Sequence, residues 1–183
     1  MIDFDKLKEQ NNEAIAWIKV NNTNIEYPVV KTKNNEFYLN HSFDKSENLG
    51  GWISADYKNK FNGTDKNIVI YVHNMKDNSM FGTMQNILNP EWYNNEENTN
   101  IILKTEVKNY IYNVFSIYRI ENEDYYIKTE FNNDSEFEQF LNTLKARSIR
   151  DFNMDMLESD SILTLSTCDN NNKYRVVLHA KKI

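Results

Sequence analysis

The sequence predicts a mostly β fold, a β-barrel with flanking helices, and three observations carry that expectation. Seven segments rich in β-branched and aromatic residues, bounded by Asn, Asp, Gly or Lys turns, recur along the 183 residues, and a further extended stretch follows the first helix. Seven or eight strands is a barrel-sized count. The chain is 40% hydrophobic and 13% aromatic with only 4 Gly and 2 Pro, which excludes collagen-like and low-complexity disordered classes. Helical spacing of apolar residues appears in only three places, and no linker or internal repeat divides the chain, so residues 1–183 are expected to form one domain of ordinary size.

Taken in order, DFDKLKEQNNEAIAWI opens with Asp3 as an N-cap and carries Phe4, Leu7 and then Ile15 and Ile18, an amphipathic helix running into an extended segment. IEYPVV (25–30), GGWISADY (50–57) and NIVIYVH (67–73) read as strands. SMFGTMQNILNPEW (79–92) shows helical spacing, with Met75, Met80, Phe81 and Met84 as a soft apolar face suited to the core. NIILKT (100–105) and YIYNVFSIYRI (110–120) are strands again. SEFEQFLNTLKARS (135–148) is a helix with Phe137, Phe140, Leu141 and Leu144 on one face, Ser135 as its cap and Glu138 at the third helical position. SILTLST (161–167) and YRVVLHAKKI (174–183) complete the strands. Both later helices are expected to cover barrel openings.

The bulk numbers also exclude functions. Net charge is −6 with a pI near 5.2, and no basic cluster interleaves with aromatics, so nucleic acid is not an expected partner. The single Cys cannot form an internal disulfide, and His41, His73 and His179 lie too far apart in sequence for zinc spacing, so no metal or cofactor is expected. No run approaches the ~18 apolar residues of a membrane helix, and MIDFDKLKEQ lacks the basic flank and apolar core of a signal peptide.

That lone thiol, Cys168, stands at the end of an apolar strand. Such a residue is ordinarily a small buried hydrophobe, but Ser166-Thr167 before it and Asp169 with an Asn-rich turn after it place it where a strand meets solvent. A nucleophilic Cys needs a base or cation beside it, because an ordinary thiol is only a few per cent ionised at neutral pH. His73 ends a strand that runs into a polar turn, the same setting as Cys168. His41 follows a short aromatic segment, and His179 sits inside a strand whose alternation does not fix its face. Arg175 opens the last strand after six residues of turn, so pairing of the two strands as a hairpin would return its guanidinium toward the thiol. A permanently charged fork suits a carbonyl oxygen that is becoming an oxyanion. Asp169 could orient or charge the site, or be an ordinary turn residue.

TLSTC followed by an Arg that opens an RVV strand, with an earlier YxHN at a strand end, resembles the sortase family of cysteine transpeptidases. AWIKVNNTNIEYPVVKTKNNEFYLNHSFDKS, GGWISADY and YVHNMKDNSMFGTM, in that order, resemble its class B branch, so the likeness covers nearly the whole chain. Two departures stand out: Val72 occupies the place usually held by Gly before the histidine, and the turn from Cys168 to Arg175 is short for the class. The resemblance implies a sortase-like eight-stranded barrel with N-terminal helices and a helix in the loop before the Cys strand. It implies Cys168 as nucleophile, His73 as the acid that protonates the leaving amine, and Arg175 as oxyanion stabiliser. It also implies Asn35, Leu39, Tyr126, Ile127 and Ser166 as peptide contacts, although each is equally explained as a core or turn residue.

By the same resemblance the substrates are surface proteins bearing a C-terminal sorting signal, cleaved after Thr, and the acceptor is an amine of peptidoglycan or its lipid-linked precursor. The place of action is the outer face of the plasma membrane of Gram-positive bacteria, with an N-terminal membrane anchor absent from these 183 residues. Two alternatives share the same residues: a cysteine peptidase that releases its product to water, and a non-catalytic barrel that binds wall peptides.

Overall fold

The computed structural model describes residues 2–72, 83–168 and 173–183, with the backbone alone at Cys168. Eight strands close into a barrel: β1 (Ala14–Val20), β2 (Glu26–Val30), β3 (Ser54–Ala55), β4 (Asn67–Val72), β5 (Asn100–Thr105), β6 (Asn109–Glu121), β7 (Ile162–Cys168) and β8 (Tyr174–Lys182). Their order around the barrel is β1-β2-β3-β4-β7-β8-β6-β5, with β5 pairing back to β1. β2 pairs with β3, and β4 with β7, in parallel; the other neighbours are antiparallel. The mostly β barrel that the sequence predicts is therefore what forms.

Side-chain alternation fills this barrel. Along β1, Ala14, Ala16, Ile18 and Val20 are buried while Ile15, Trp17 and Lys19 are half-exposed, the period of two that a strand imposes. Ile18, Val20, Val29, Ile70, Leu103, Leu163, Leu165 and Leu178 meet inside in one apolar cluster. Each such side chain removed from water contributes about 1.5–3 kcal/mol.

Several elements differ from expectation, each for a local reason. The first helix, α1 (Phe4–Gln10), starts where predicted, with the Asp3 carboxylate accepting from the Lys6 N–H at 3.1 Å. It ends at Asn11, whose backbone is extended and whose Nδ2 donates to the Tyr38 hydroxyl and the Phe43 carbonyl, each at 2.7 Å. Ile15 and Ile18 thus belong to β1. The strand expected over 50–57 contracts to β3, because Gly51 (φ 65) turns the chain before it and Asp56 takes the Lys58 N–H in a turn just after it.

The helix expected over 79–92 is broken. Residues 79–82, with Met75, lie outside the described residues; the rest forms a 3₁₀ turn, Met84–Leu88, and a single turn, α2 (Pro90–Tyr93). Pro90 forces Asn89 into extended backbone (φ −87, ψ 138), which ends the first turn and starts the second. Met84, Ile87 and Trp92 still join the interior cluster, and the Trp92 indole donates to the Asn21 carbonyl at 2.9 Å, closing the barrel end where β1 turns into β2.

α3 (Asp134–Arg147) lies between β6 and β7, as the resemblance implies, but it is capped by Asn133, not Ser135. The Asn133 side chain accepts from the Glu136 N–H at 2.9 Å, and the Glu136 carboxylate accepts from the Asn132 N–H at 2.6 Å. Nor does α3 cover an opening. Its Phe137, Phe140, Leu141 and Leu144 pack with Phe115, Tyr118, Ile162 and Val177, on the outer faces of β6, β7 and β8, as a second core against the barrel wall. A bulge between Val114 and Ser116 lets both Phe115 and Ser116 meet α3; the buried Ser116 hydroxyl donates to the Leu144 carbonyl at 2.6 Å, satisfying one of the helix's terminal acceptors. Among the described residues, no helix is long and apolar enough to cross a membrane.

Candidate active site

Parallel pairing of β4 with β7 sets Tyr71 beside Ser166 and Val72 beside Thr167, so the two strands end side by side. β8 returns antiparallel from that rim with Arg175 directly opposite Cys168. The hairpin expected from the sequence forms, and the short turn does not prevent Arg175 from pairing with Cys168. His73 and Asp169 lie outside the described residues, as does the Cys168 side chain.

Against the outer face of this rim lies a cavity of about 290 Å³. Tyr71, Val72, Ser166 and Arg175 line it from the barrel, and two connections wall it in: Asn35 and Leu39 from the β2–β3 connection, and Asn122, Glu123, Asp124, Tyr126 and Ile127 from the segment after β6. Asn35, Leu39, Tyr126, Ile127, Ser166 and Arg175, all singled out in the sequence, thus share one cavity. Sequence reasoning missed Tyr71, Val72, Asn122, Glu123 and Asp124 as lining residues. A signal was present for Tyr71, which alternates outward between the buried Ile70 and Val72. The polar run Asn122-Glu123-Asp124 directly follows β6 and marks a strand end.

Hydrogen bonds hold both walls. Asp56, 4% exposed, accepts from the Tyr71 hydroxyl at 2.7 Å and from Asn35 Nδ2 at 3.0 Å, while its other oxygen accepts from the Lys58 N–H at 2.9 Å. The Asn35 carbonyl oxygen accepts from the Tyr57 N–H at 2.9 Å, so Asn35 spends one donor and one acceptor on fixing its own loop. Burial, then the Asp56 carboxylate, raise the Tyr71 phenol far above its ordinary range and keep it a hydrogen-bond donor. On the second wall the buried Tyr126 hydroxyl and the Ser166 hydroxyl bond at 2.8 Å. Glu123 is ion-paired with Arg147 at 2.5 Å, and that guanidinium stacks 5.2 Å from the Tyr125 ring centroid.

Leu39 is 49% exposed at the mouth, an apolar surface offered to whatever binds. Half-buried Arg175 donates through Nη1 to the Tyr174 carbonyl at 3.1 Å. The whole forms an apolar slot with fixed hydroxyls at its floor and a guanidinium at the barrel rim, suited to an extended peptide whose carbonyl approaches a cation.

Two histidines that the sequence left open as bases have other partners. The His41 ring stacks on Phe37 with centroids 4.0 Å apart, and its Nδ1 lies 2.7 Å from the Phe37 carbonyl. His179 is fully buried; Tyr118 Oη lies 2.7 Å from Nε2 and Thr164 Oγ1 2.8 Å from Nδ1. Burial, reinforced by the Arg147 charge, pushes its pKa down to about 3, so it is neutral at ordinary pH. Neither lines the cavity.

Known proteins share this architecture. A sortase domain family matches residues 18–183. Sortase B of Listeria monocytogenes is 33% identical over 180 residues, 97% of this chain and 72% of that one, and sortase B of Staphylococcus aureus is 33% identical over 183 residues, 98% and 74% of the two chains. The X-ray structure of Clostridium perfringens sortase B superposes with a TM-score of 0.91 at 36% identity, covering 99% of this chain and all of that one. A Staphylococcus aureus sortase B–substrate complex does so with a TM-score of 0.90 at 33% identity, covering 98% and 84%. Identity of a third along nearly the whole length, joined to the same closed barrel, means that the chain belongs to the sortase family and is a cysteine transpeptidase of the sortase B type.

Proposed function

We propose that this transpeptidase cleaves a C-terminal sorting signal after its Thr and transfers the new carboxyl-terminal acyl group to an amine of peptidoglycan or its lipid-linked precursor. The Cys168 sulfur attacks the Thr carbonyl carbon, the carbonyl oxygen takes the negative charge of the tetrahedral intermediate, and the Arg175 guanidinium neutralises it. His73 gives a proton to the departing amine as the C–N bond breaks, leaving a thioester on Cys168. An acceptor amine then attacks that thioester, the C–S bond breaks, and the thiol is regenerated. No redox step or metal is required.

The observation that carries this reading is the β7–β8 register, which sets Arg175 opposite Cys168 while the same arginine lines the 290 Å³ cavity. In the chain His73 follows directly on Val72, and the strand partner of Val72, Thr167, directly precedes Cys168; that adjacency in sequence supports assigning His73 to the same reaction. Asn35, Leu39, Tyr126, Ile127 and Ser166 are the groove for the peptide, with Leu39 and Ile127 supplying apolar contact and Ser166 a hydroxyl beside the nucleophile. The place of action is the outer face of the plasma membrane, through an N-terminal anchor beyond the 183 residues.

A quenched fluorescent peptide library covering NPxTN-like and Pro-x-Thr-Gly-like signals tests the proposal, with and without an amine acceptor, on this protein and on Cys168→Ala. Cleavage after Thr that vanishes in the variant, with amide product when acceptor is added, is expected. Arg175→Ala should lower kcat by about 10²–10³, the usual cost of losing an oxyanion partner. Acid product regardless of acceptor would make the enzyme a peptidase, and equal signal from both proteins would make it a binding barrel.

A further inference from the structure

Behind the cavity wall runs a chain of buried polar side chains that the reaction does not use. Asn67 Nδ2 donates to the Lys128 carbonyl at 2.9 Å and approaches the Tyr126 carbonyl at 3.4 Å. Those oxygens can only accept, so the Asn67 Oδ1 must face Thr164, whose hydroxyl donates to it at 2.7 Å. That spends the single Thr164 proton. His179 therefore carries its own proton on Nδ1 and donates to Thr164, and its Nε2 accepts from the Tyr118 hydroxyl. Every link points the same way, from β6 through β8 and β7 to β4, and the chain ends on the backbone of the segment that walls the cavity.

We infer that Tyr118, His179, Thr164 and Asn67 form a positioning device for peptide binding, fixing the Tyr126-to-Lys128 wall at the height where the Tyr126 hydroxyl meets Ser166. This rests on the function proposed above. Apolar packing is non-directional and would tolerate a slip of that wall along the barrel, whereas hydrogen bonds hold one distance and one angle. The inner faces of the same strands are packed mainly by apolar side chains, Leu163, Leu165 and Leu178 among them. A polar chain buried at a site where apolar residues suffice acts on geometry.

Thr164→Val and Thr164→Ser separate geometry from packing. Val keeps the shape and loses the hydroxyl; Ser keeps the hydroxyl and loses a methyl group. With the peptide found for the wild type, Thr164→Val should raise KM about tenfold with kcat within about twofold, since a tenfold change matches the loss of one such bond, whereas Thr164→Ser should stay near wild type. Amide hydrogen exchange read by mass spectrometry over residues 122–130 should quicken about tenfold in the Val variant only. Wild-type KM and exchange in Thr164→Val, or equal losses in both variants, would overturn the inference. If the wild type cleaves no peptide, the proposed function fails, and the exchange measurement still decides whether the chain holds the wall.

Discussion

The two buried layers of this molecule are made differently. Inside the barrel, Ile18, Val29, Ile70, Leu163 and Leu178 meet in a mainly aliphatic cluster of buried residues. Outside it, beneath α3 and the segment after β6, the aromatic cluster of Phe115, Tyr118, Phe137 and Phe140 is threaded by Asn67, Thr164, Ser166 and His179, each at most 5% exposed. Both layers draw on the same strands, one from each face. The inner layer sets how tightly the barrel closes, and the outer one sets where the cavity wall stands, because a continuous chain of side-chain hydrogen bonds runs through the outer one to the wall segment. A change to the first should therefore be felt as stability, and a change to the second as binding and pH response.

The sharpest test of that division is a cavity in the inner layer. Leu165, fully buried on β7, should cost about 3–4 kcal/mol on substitution by Ala, within the range for core leucines, measured by urea unfolding. Wherever the variant remains folded, KM should be that of the wild type. A loss under about 1 kcal/mol would mean that the interior is loosely filled, and the contrast between layers would fail.

Next in size is the response of the outer layer to acid. His179 has its folded pKa lowered to about 3, against about 6.5 when unfolded, so below pH 6.5 the unfolded chain takes up a proton that the folded one refuses. Its full contribution is thus present above pH 6.5 and is lost as pH falls from there toward 3. Between pH 7 and pH 5 the slope of one proton removes about 2 kcal/mol. Urea midpoints at the two pH values should show that loss in the wild type and a correspondingly smaller one in His179→Gln, which cannot titrate. Equal losses in both proteins would mean that His179 is not held neutral by burial.

These layers also differ in how legible they were in the sequence. Runs of β-branched and aromatic residues bounded by turn residues exposed the strands, β1 burying every second residue, and the hairpin of β7 with β8 followed from the spacing of Cys168 and Arg175. The outer layer was hidden, because a strand wrapped on both sides loses its alternation. In β8, Val176 through Ala180 are all buried, so the face of His179 could not be read. Asn35, Leu39, Tyr126, Ile127 and Ser166 were found through likeness to a family and not through their own pattern, since each is chemically ordinary. Their shared cavity needs the β2–β3 connection and the segment after β6, which lie some ninety residues apart and meet only in the folded chain. The expected strand over 50–57 and helix over 79–92 failed on turn chemistry at Gly51, Asp56 and Pro90, where local backbone rules outweigh periodicity.

The smallest expected effect concerns how α3 is fastened over the outer layer. Spacing alone allowed Ser135 as the cap, because it stands before an apolar run with Glu138 three residues on. In the fold, the chain is extended at Asn133 (φ −160, ψ 171), its side chain takes the Glu136 N–H, and Ser135 already lies within the helix. Helix ends leave their first amide protons without partners, and only a residue just outside the helix can turn its side chain back to meet one. Asn133→Ala should therefore cost about 1 kcal/mol, and Ser135→Ala, an exchange for a better helix former at an exposed position, should cost nothing or stabilise slightly. Thermal unfolding of the two variants side by side decides between the caps. Because Phe137, one turn further on, packs on the barrel wall, a loosened Asn133 end should also quicken amide exchange in the first turn of α3, leaving the Ser116-to-Leu144 end unchanged.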